Sequence, residues 1–317
     1  MIISIKKILG FTLVILTLTL STQASTRSTP YSIDNERREN ACGNITSAGE
    51  KTLCYIRYDY SNTPSRCNES DNEPGVLCSG VVFRGTDDDL NRGYYSWNPS
   101  PASVTSGGVS FSYLRKDSKF SKVAYNYETG FIFYPVNFTP STKDNTIKIL
   151  CGFPLDGWTN NRSDKGCGEQ SSRPSSRPCA DQGINNASDW YDINHSASGQ
   201  NGRYICGFTL YSPDNTINTT KQFDAMIKSQ ILLKGNSFNE QNELRLATWE
   251  QNKSDIPLEA FFYHEGSSNG LKSSQKDQRE FYEQFNAVIP IIEIAFPATI
   301  NDDVVFDYKE SDQVVTQ

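Results

Sequence analysis

The alternation of apolar and polar positions predicts a chain built mainly of strands. Val109, Phe111 and Tyr113 alternate with Ser110, Ser112 and Leu114, so one side of this segment is apolar and the other carries two hydroxyls. Val76 to Phe83 is an apolar run ending at Arg84, and Phe131 to Tyr134 follows Gly130 and stops at Pro135. Leu244 to Trp249, Leu258 to Tyr263 and Val288 to Phe296 complete the predicted strands, each rich in β-branched and aromatic residues. Helical spacing is rarer. It predicts a helix from about Thr220 to Lys234, with Phe223, Met226, Ile227 and Ile231 on one face. Thr219 with Gln222 has capping-box spacing, and Gly235 is placed to end that helix. A second helix is expected over Ser274 to Phe285. The fold class expected is a mostly antiparallel α+β domain.

Three segments do not fit a strand or helix pattern. Residues 25–41 are polar and read as loose, and residues 301–317 read as a partly ordered acidic tail carrying Asp302, Asp303, Asp307, Glu310 and Asp312. Residues 137–220 are rich in Asn, Ser, Gly and Pro and read as a long loop that needs covalent staples. Within it, Ile149 to Phe153 resembles Tyr204 to Phe208, which suggests two similar strands.

The N-terminus and the cysteines give the expected compartment. Lys6 and Lys7, the 13 apolar-rich residues Ile8 to Leu20, and Thr22-Gln23-Ala24 form the pattern of a secretory signal peptide, residues 1–24. The remainder, 25–317, is expected to be one domain exported through the periplasm to the outside, without stable membrane insertion. Eight cysteines fall in two groups, Cys42, Cys54, Cys67 and Cys78, then Cys151, Cys167, Cys179 and Cys206. Four disulfides are expected, with pairing inside each group the simplest arrangement and three pairings open to each group. No two cysteines have zinc-knuckle spacing, and His195 and His264 are the only histidines, so no metal site is expected. A net charge of −7 argues against a nucleic-acid partner, which needs a basic face.

Three segments could carry chemistry. Arg84-Gly85 ends an apolar strand and points a guanidinium, suited to phosphate, into an open turn. Ser110 and Ser112 share a strand face and could hold a carboxylate or contact a ribose. Phe238-Asn239-Glu240-Gln241-Asn242-Glu243 enters a strand with Gln241 and Glu243 two apart, an amide beside a carboxylate that could receive a hydroxyl and offset a forming cation. Taken singly, each also fits an ordinary surface ion pair, a half-exposed strand or a solvated loop.

Taken together, in that chain order, they resemble the arginine–serine–glutamate pattern of ADP-ribosyltransferase toxins. The stretches 78–86, 107–115, 242–249, 256–263 and 289–292 are similar to the halovibrin family, secreted bacterial proteins described as ADP-ribosyltransferases or NAD glycohydrolases. The resemblance implies an ADP-ribosyltransferase-like fold with a Cys-rich insertion at about 137–220. NAD would be the substrate, with no further cofactor, and a host protein a possible acceptor. Arg84, with Gly85, would hold the diphosphate. Ser110 and Ser112 would support the nicotinamide–ribose end, Phe238 would belong to the same NAD-binding set, and Glu243 would be the catalytic carboxylate. Gln241 stands where arginine-modifying transferases usually carry a second Glu, which points to water or another acceptor side chain.

Two other classes make different demands. A hydrolase using a serine with His264 or His195 would want a nucleophile elbow, and the Gly-x-Ser-x-Gly spacing occurs once, at Gly266-Ser267-Ser268-Asn269-Gly270. A secreted binding or adhesion module would use the abundant Tyr and Asn for glycan or surface contacts, without turning over NAD.

Overall fold

The computed structural model describes residues 35–68, 72–87, 93–134, 147–155, 167, 178–196, 206–212, 214–237 and 241–315. The expected signal peptide lies outside them. Among the described residues no helix is long and apolar enough to cross a membrane.

The strands are β1 (Val81–Thr86), β2 (Gly108–Leu114), β3 (Thr129–Phe133), β4 (Ile149–Phe153), β5 (Phe208–Thr209), β6 (Glu243–Ala247), β7 (Leu258–His264), β8 (Ile291–Ala295) and β9 (Val305–Asp307). They form one sheet in the order β5-β4-β6-β2-β1-β3-β7-β8-β9. All neighbours are antiparallel except β7 and β8. The expected α+β class with a mostly antiparallel sheet is therefore borne out. The helices are α1 (Asn35–Cys42), α2 (Ala48–Ser61), α3 (Pro101–Ser106), α4 (Ala187–Ser196), α5 (Thr219–Ser237) and α6 (Ser268–Phe285).

Both faces of the sheet are covered. On one, Val109, Phe111, Tyr113 and Leu244 pack with Phe223 and Met226 of α5 and Phe281 of α6. On the other, Phe83, Leu114 and Phe262 pack with Leu53 and Ile56 of α2 and Phe306 of β9. Each such buried side chain contributes on the order of 1.5–3 kcal/mol.

Several expectations change. Residues 35–41, read as loose, lie in α1, tied to α2 by the Cys42–Cys54 disulfide. The apolar run from Val76 is not one strand: residues 75–77 form a 3-10 turn and β1 begins at Val81. Gly235 does not end α5, which continues to Ser237, and the N-terminal cap is Asn218, whose Oδ1 accepts the Lys221 N–H at 2.9 Å. Ile231 is 39% exposed, off the buried face. Helix α6 starts at Ser268, earlier than expected, because its buried face begins with Gly270, Ser273 and Ser274 and shows no apolar stripe there.

The acidic tail is also ordered. Gln313 accepts the Ile291 N–H at 2.8 Å and donates to the Ile291 carbonyl at 3.0 Å, standing in for a strand beside β8. Gln278 of α6 accepts the Val314 and Val315 N–H groups. The segment read as a long stapled loop with two similar strands also contains α4, and it supplies β4 and β5, the outermost strands at one sheet edge. The first of the two similar segments is β4, and the end of the second pairs with it, Gly152 with Phe208, followed by Cys151 with Thr209; Tyr204 and Ile205 lie outside the described residues. The remaining disulfides are Cys67–Cys78, Cys151–Cys167 and Cys179–Cys206, so all four fall within the expected groups.

A charged cluster anchors α1. Arg38 is 2% exposed, donates to Glu259 of β7, lies 3.5 Å from Asp59 of α2 and sits over the Tyr55 ring at 4.4 Å. We expect Arg38→Ala to cost about 3–5 kcal/mol in urea denaturation, because it leaves Glu259 charged and buried without its partner. Arg38→Met with Glu259→Leu should recover most of that loss. His264 gives a pH dependence. Burial lowers its pKa from 6.5 to about 4, opposed only weakly by Glu128. The unfolded chain thus binds this proton first, and stability should fall as pH drops from about 6.5 towards 4. In His264→Leu that part of the slope should vanish from a denaturation series run across this window.

Candidate active site

The site lies where β2 changes partner. Its C-terminal half pairs with β1, Phe83 opposite Ser112, while its N-terminal half pairs with β6, Ser110 opposite Arg245. The two neighbours therefore diverge, and backbone groups of β2 must find partners outside the ladders. On the β1 side, Arg84 Nη1 donates to the Ser110 carbonyl at 2.7 Å. On the β6 side, the Asn242 carboxamide takes the place of a strand: Oδ1 accepts the Tyr113 N–H and Nδ2 donates to the Tyr113 carbonyl, both at 2.7 Å. Gln230 of α5 accepts a further bond from Asn242 Nδ2 at 3.0 Å.

These two bonds fix the side chains beside them. Asn242 points into the ladder, so its neighbours in sequence are held at the entrance to β6. Glu243, 1% exposed, receives the Ser110 hydroxyl on Oε1 at 2.6 Å. Gln241 receives the Ser112 hydroxyl on Oε1 at 2.6 Å. The two serines, one strand repeat apart, thus hold the carboxylate and the amide, also one repeat apart. Arg84 is half-buried and anchored to the same residue, Ser110, that orients Glu243.

Glycines make room for this. Gly107 ends α3 in the left-handed conformation, φ 70°. Gly108 lies against the buried Arg245, where a β-carbon would come within 2.3 Å of Nε. Gly85 lies against Val123 and Tyr127, where a β-carbon would meet Val123 at 2.8 Å.

The structure brings together Arg84, Gly85, Ser110, Ser112, Gln241 and Glu243, which the sequence singled out. Phe238 lies outside the described residues. His264 is not among them: it ends β7, two strands from β1, on a cavity of about 260 Å³ with Lys122, Glu128 and Glu265. Its Nε2 is buried with no hydrogen-bond partner, so it activates no serine there. Sequence reasoning missed Asn242 and Arg245. Asn242 looked like one more polar loop residue, and Arg245 like the outward position of an alternating strand.

No protein-family model and no curated protein matches the chain.

Asn242→Ala should destabilise the protein by about 2–4 kcal/mol in chemical denaturation, because it strands the buried Tyr113 N–H and carbonyl. Gly108→Ala should cost about 1–3 kcal/mol by overpacking against Arg245. A neutral result for the first would mean that β6 is held in place by something else.

Proposed function

We propose that this protein cleaves the nicotinamide–ribose bond of NAD, releasing nicotinamide and passing ADP-ribose to water or to a protein acceptor. The observation that carries this reading is the Ser110–Glu243 hydrogen bond, with Arg84 fastened to the Ser110 carbonyl. A buried, oriented carboxylate and a guanidinium sit on the two strands that flank β2, and an anionic dinucleotide with a sugar at its reacting end needs both. The resemblance to halovibrins and to ADP-ribosyltransferase toxins supports the same assignment, and with it an exported protein acting as an NAD glycohydrolase or transferase.

The chemistry follows from these groups. The C–N bond breaks with its electron pair passing to the nicotinamide ring nitrogen, which thereby loses its positive charge. Nicotinamide leaves neutral, so no general acid is required. The ribosyl centre becomes cationic, as in glycoside hydrolysis. Glu243 offsets that charge, and the Ser110 hydroxyl keeps its carboxylate aimed. A group of this kind contributes about 3–4 kcal/mol to the transition state. Arg84 holds the diphosphate, so the ribose is presented in a reactive geometry. Water, or an acceptor hydroxyl or amide, then adds to the ribosyl carbon and gives up its proton. Gln241, held by Ser112, offers an amide where arginine-specific transfer would want a second carboxylate, which favours water or another acceptor.

One feature favours the rival reading of a binding module. A cavity of about 390 Å³ is lined by Tyr94, Tyr95, Asn98, Gln251 and Asn252, with Lys276 and Glu280 at its edge. Aromatic rings among amides suit a polyhydroxylated ligand. That reading requires no turnover of NAD.

Glu243→Gln should lower kcat for nicotinamide release about 10²–10³-fold with a much smaller change in KM. Arg84→Ala should act mainly on KM for NAD. A Glu243→Gln protein that melts like the parent and still turns over NAD at the parent rate would sink the assignment. Labelled ADP-ribose recovered free, or attached to protein, separates hydrolase from transferase.

A further inference from the structure

Tyr125 occupies a position that its chemistry does not explain. The turn from Val123 to Asn126 is closed by the Asn126 N–H to the Val123 carbonyl at 3.2 Å. Tyr125 sits in it with φ 57°, followed by Asn126 at φ 53°. A β-carbon disfavours this left-handed region, which glycine or asparagine ordinarily fills. The strain serves no packing, because Tyr125 is 72% exposed. Such an outlier on an exposed aromatic points to use of the ring itself.

Its location says what that use is. The Tyr125 ring lies 5.5 Å from that of Tyr127. Tyr127 in turn packs directly on Gly85, where a β-carbon would be 3.0 Å from the tyrosine's own β-carbon. Tyr127 belongs to the apolar cluster of Phe83 and Leu114. Phe83 is opposite Ser112 in the ladder, so the tyrosines stand on the sheet face that carries Ser110 and Ser112. Burial raises the Tyr127 pKa, and the nearby charge of Arg84 opposes this, so the guanidinium is a neighbour of the pair.

Crossing the sheet from β6 to β1 covers two strand spacings, about 10 Å. Contact by contact, Glu243 accepts from Ser110, the Arg84 guanidinium bonds the Ser110 carbonyl and lies near Tyr127, and Tyr127 meets Tyr125. The sequence of chemistries is carboxylate, hydroxyl, guanidinium, exposed aromatic ring. The groups of a dinucleotide follow the same order: nicotinamide ribose, diphosphate, adenosine.

We propose that Tyr125, backed by Tyr127, is the platform on which the adenine base of NAD stacks. This rests on the NAD reading above and adds to it the determinant that distinguishes a dinucleotide from a mononucleotide. Stacking on an aromatic side chain recognises a base by its face and is worth roughly 5- to 150-fold in affinity.

The test compares NAD with nicotinamide mononucleotide, which has the scissile bond but no adenosine. Tyr125→Gly removes the ring and relieves the backbone, so it should fold at least as well as the parent. Its ratio of kcat/KM for NAD to that for the mononucleotide should fall about tenfold, through KM for NAD. Tyr125→Phe, which keeps the ring, should retain the parent ratio. An unchanged ratio in Tyr125→Gly overturns the platform, and so does an equal loss in Tyr125→Phe. If the parent releases nicotinamide from neither substrate, the NAD reading fails, and calorimetric titration with AMP still decides on the platform. Binding weakened by Tyr125→Gly but kept by Tyr125→Phe upholds a base site; no binding of AMP to the parent overturns it.

Discussion

Strand β2 bonds along one half to β1 and along the other to β6, and the arrangement of the candidate site follows from that division. A strand that changes partner exposes backbone N–H and C=O groups that cannot be left buried and unsatisfied, at about 1–3 kcal/mol each. Here two side chains meet them. Arg84 takes the Ser110 carbonyl on one side, and Asn242 takes both polar groups of Tyr113 on the other. Each of these residues also carries, or adjoins, a group proposed to act on substrate. The bonds that complete the fold at this point therefore also set the spacing of the guanidinium, the two serines and the carboxylate.

The same device recurs at the other end of the sheet. Gln313 bonds the backbone of Ile291 through its carboxamide, as Asn242 does with Tyr113, and thereby fastens the C-terminal segment to β8 and α6. The covalent and ionic ties hold other parts of the fold. Cys42–Cys54 and Arg38 hold α1 and α2 to the sheet, while Cys151–Cys167 and Cys179–Cys206 secure its β4–β5 edge. No cysteine is among the residues proposed to act on substrate, which leaves the site to be shaped by hydrogen bonds inside a packed sheet.

Much of the core was legible because period-two alternation marks which residues of a strand share a sheet face. Val109, Phe111 and Tyr113 announced both the strand and the opposite face bearing Ser110 and Ser112. Helix α6 was legible only in its second half, since Ser273, Ser274, Asp277 and Gln278 are buried by hydrogen bonding and packing that hydropathy does not register. The acidic tail misled for a related reason: its order comes from Gln278 and Gln313, not from apolar residues. Within the site, Arg84, Ser110, Gln241 and Glu243 were marked by residue type and spacing. Asn242 was invisible, because nothing local distinguishes an amide that replaces a strand from one in solvent.

The net charge of −7 leaves the protein as a whole unattractive to an anionic dinucleotide, so attraction must be local, and Arg84 stands where it would be needed. The most direct measurement is the product balance when the purified protein, with its four disulfides intact, is incubated with NAD. The account predicts nicotinamide and ADP-ribose in equal amounts, the latter free or attached to an added acceptor protein. NAD recovered whole from folded protein, with and without acceptor, would contradict it.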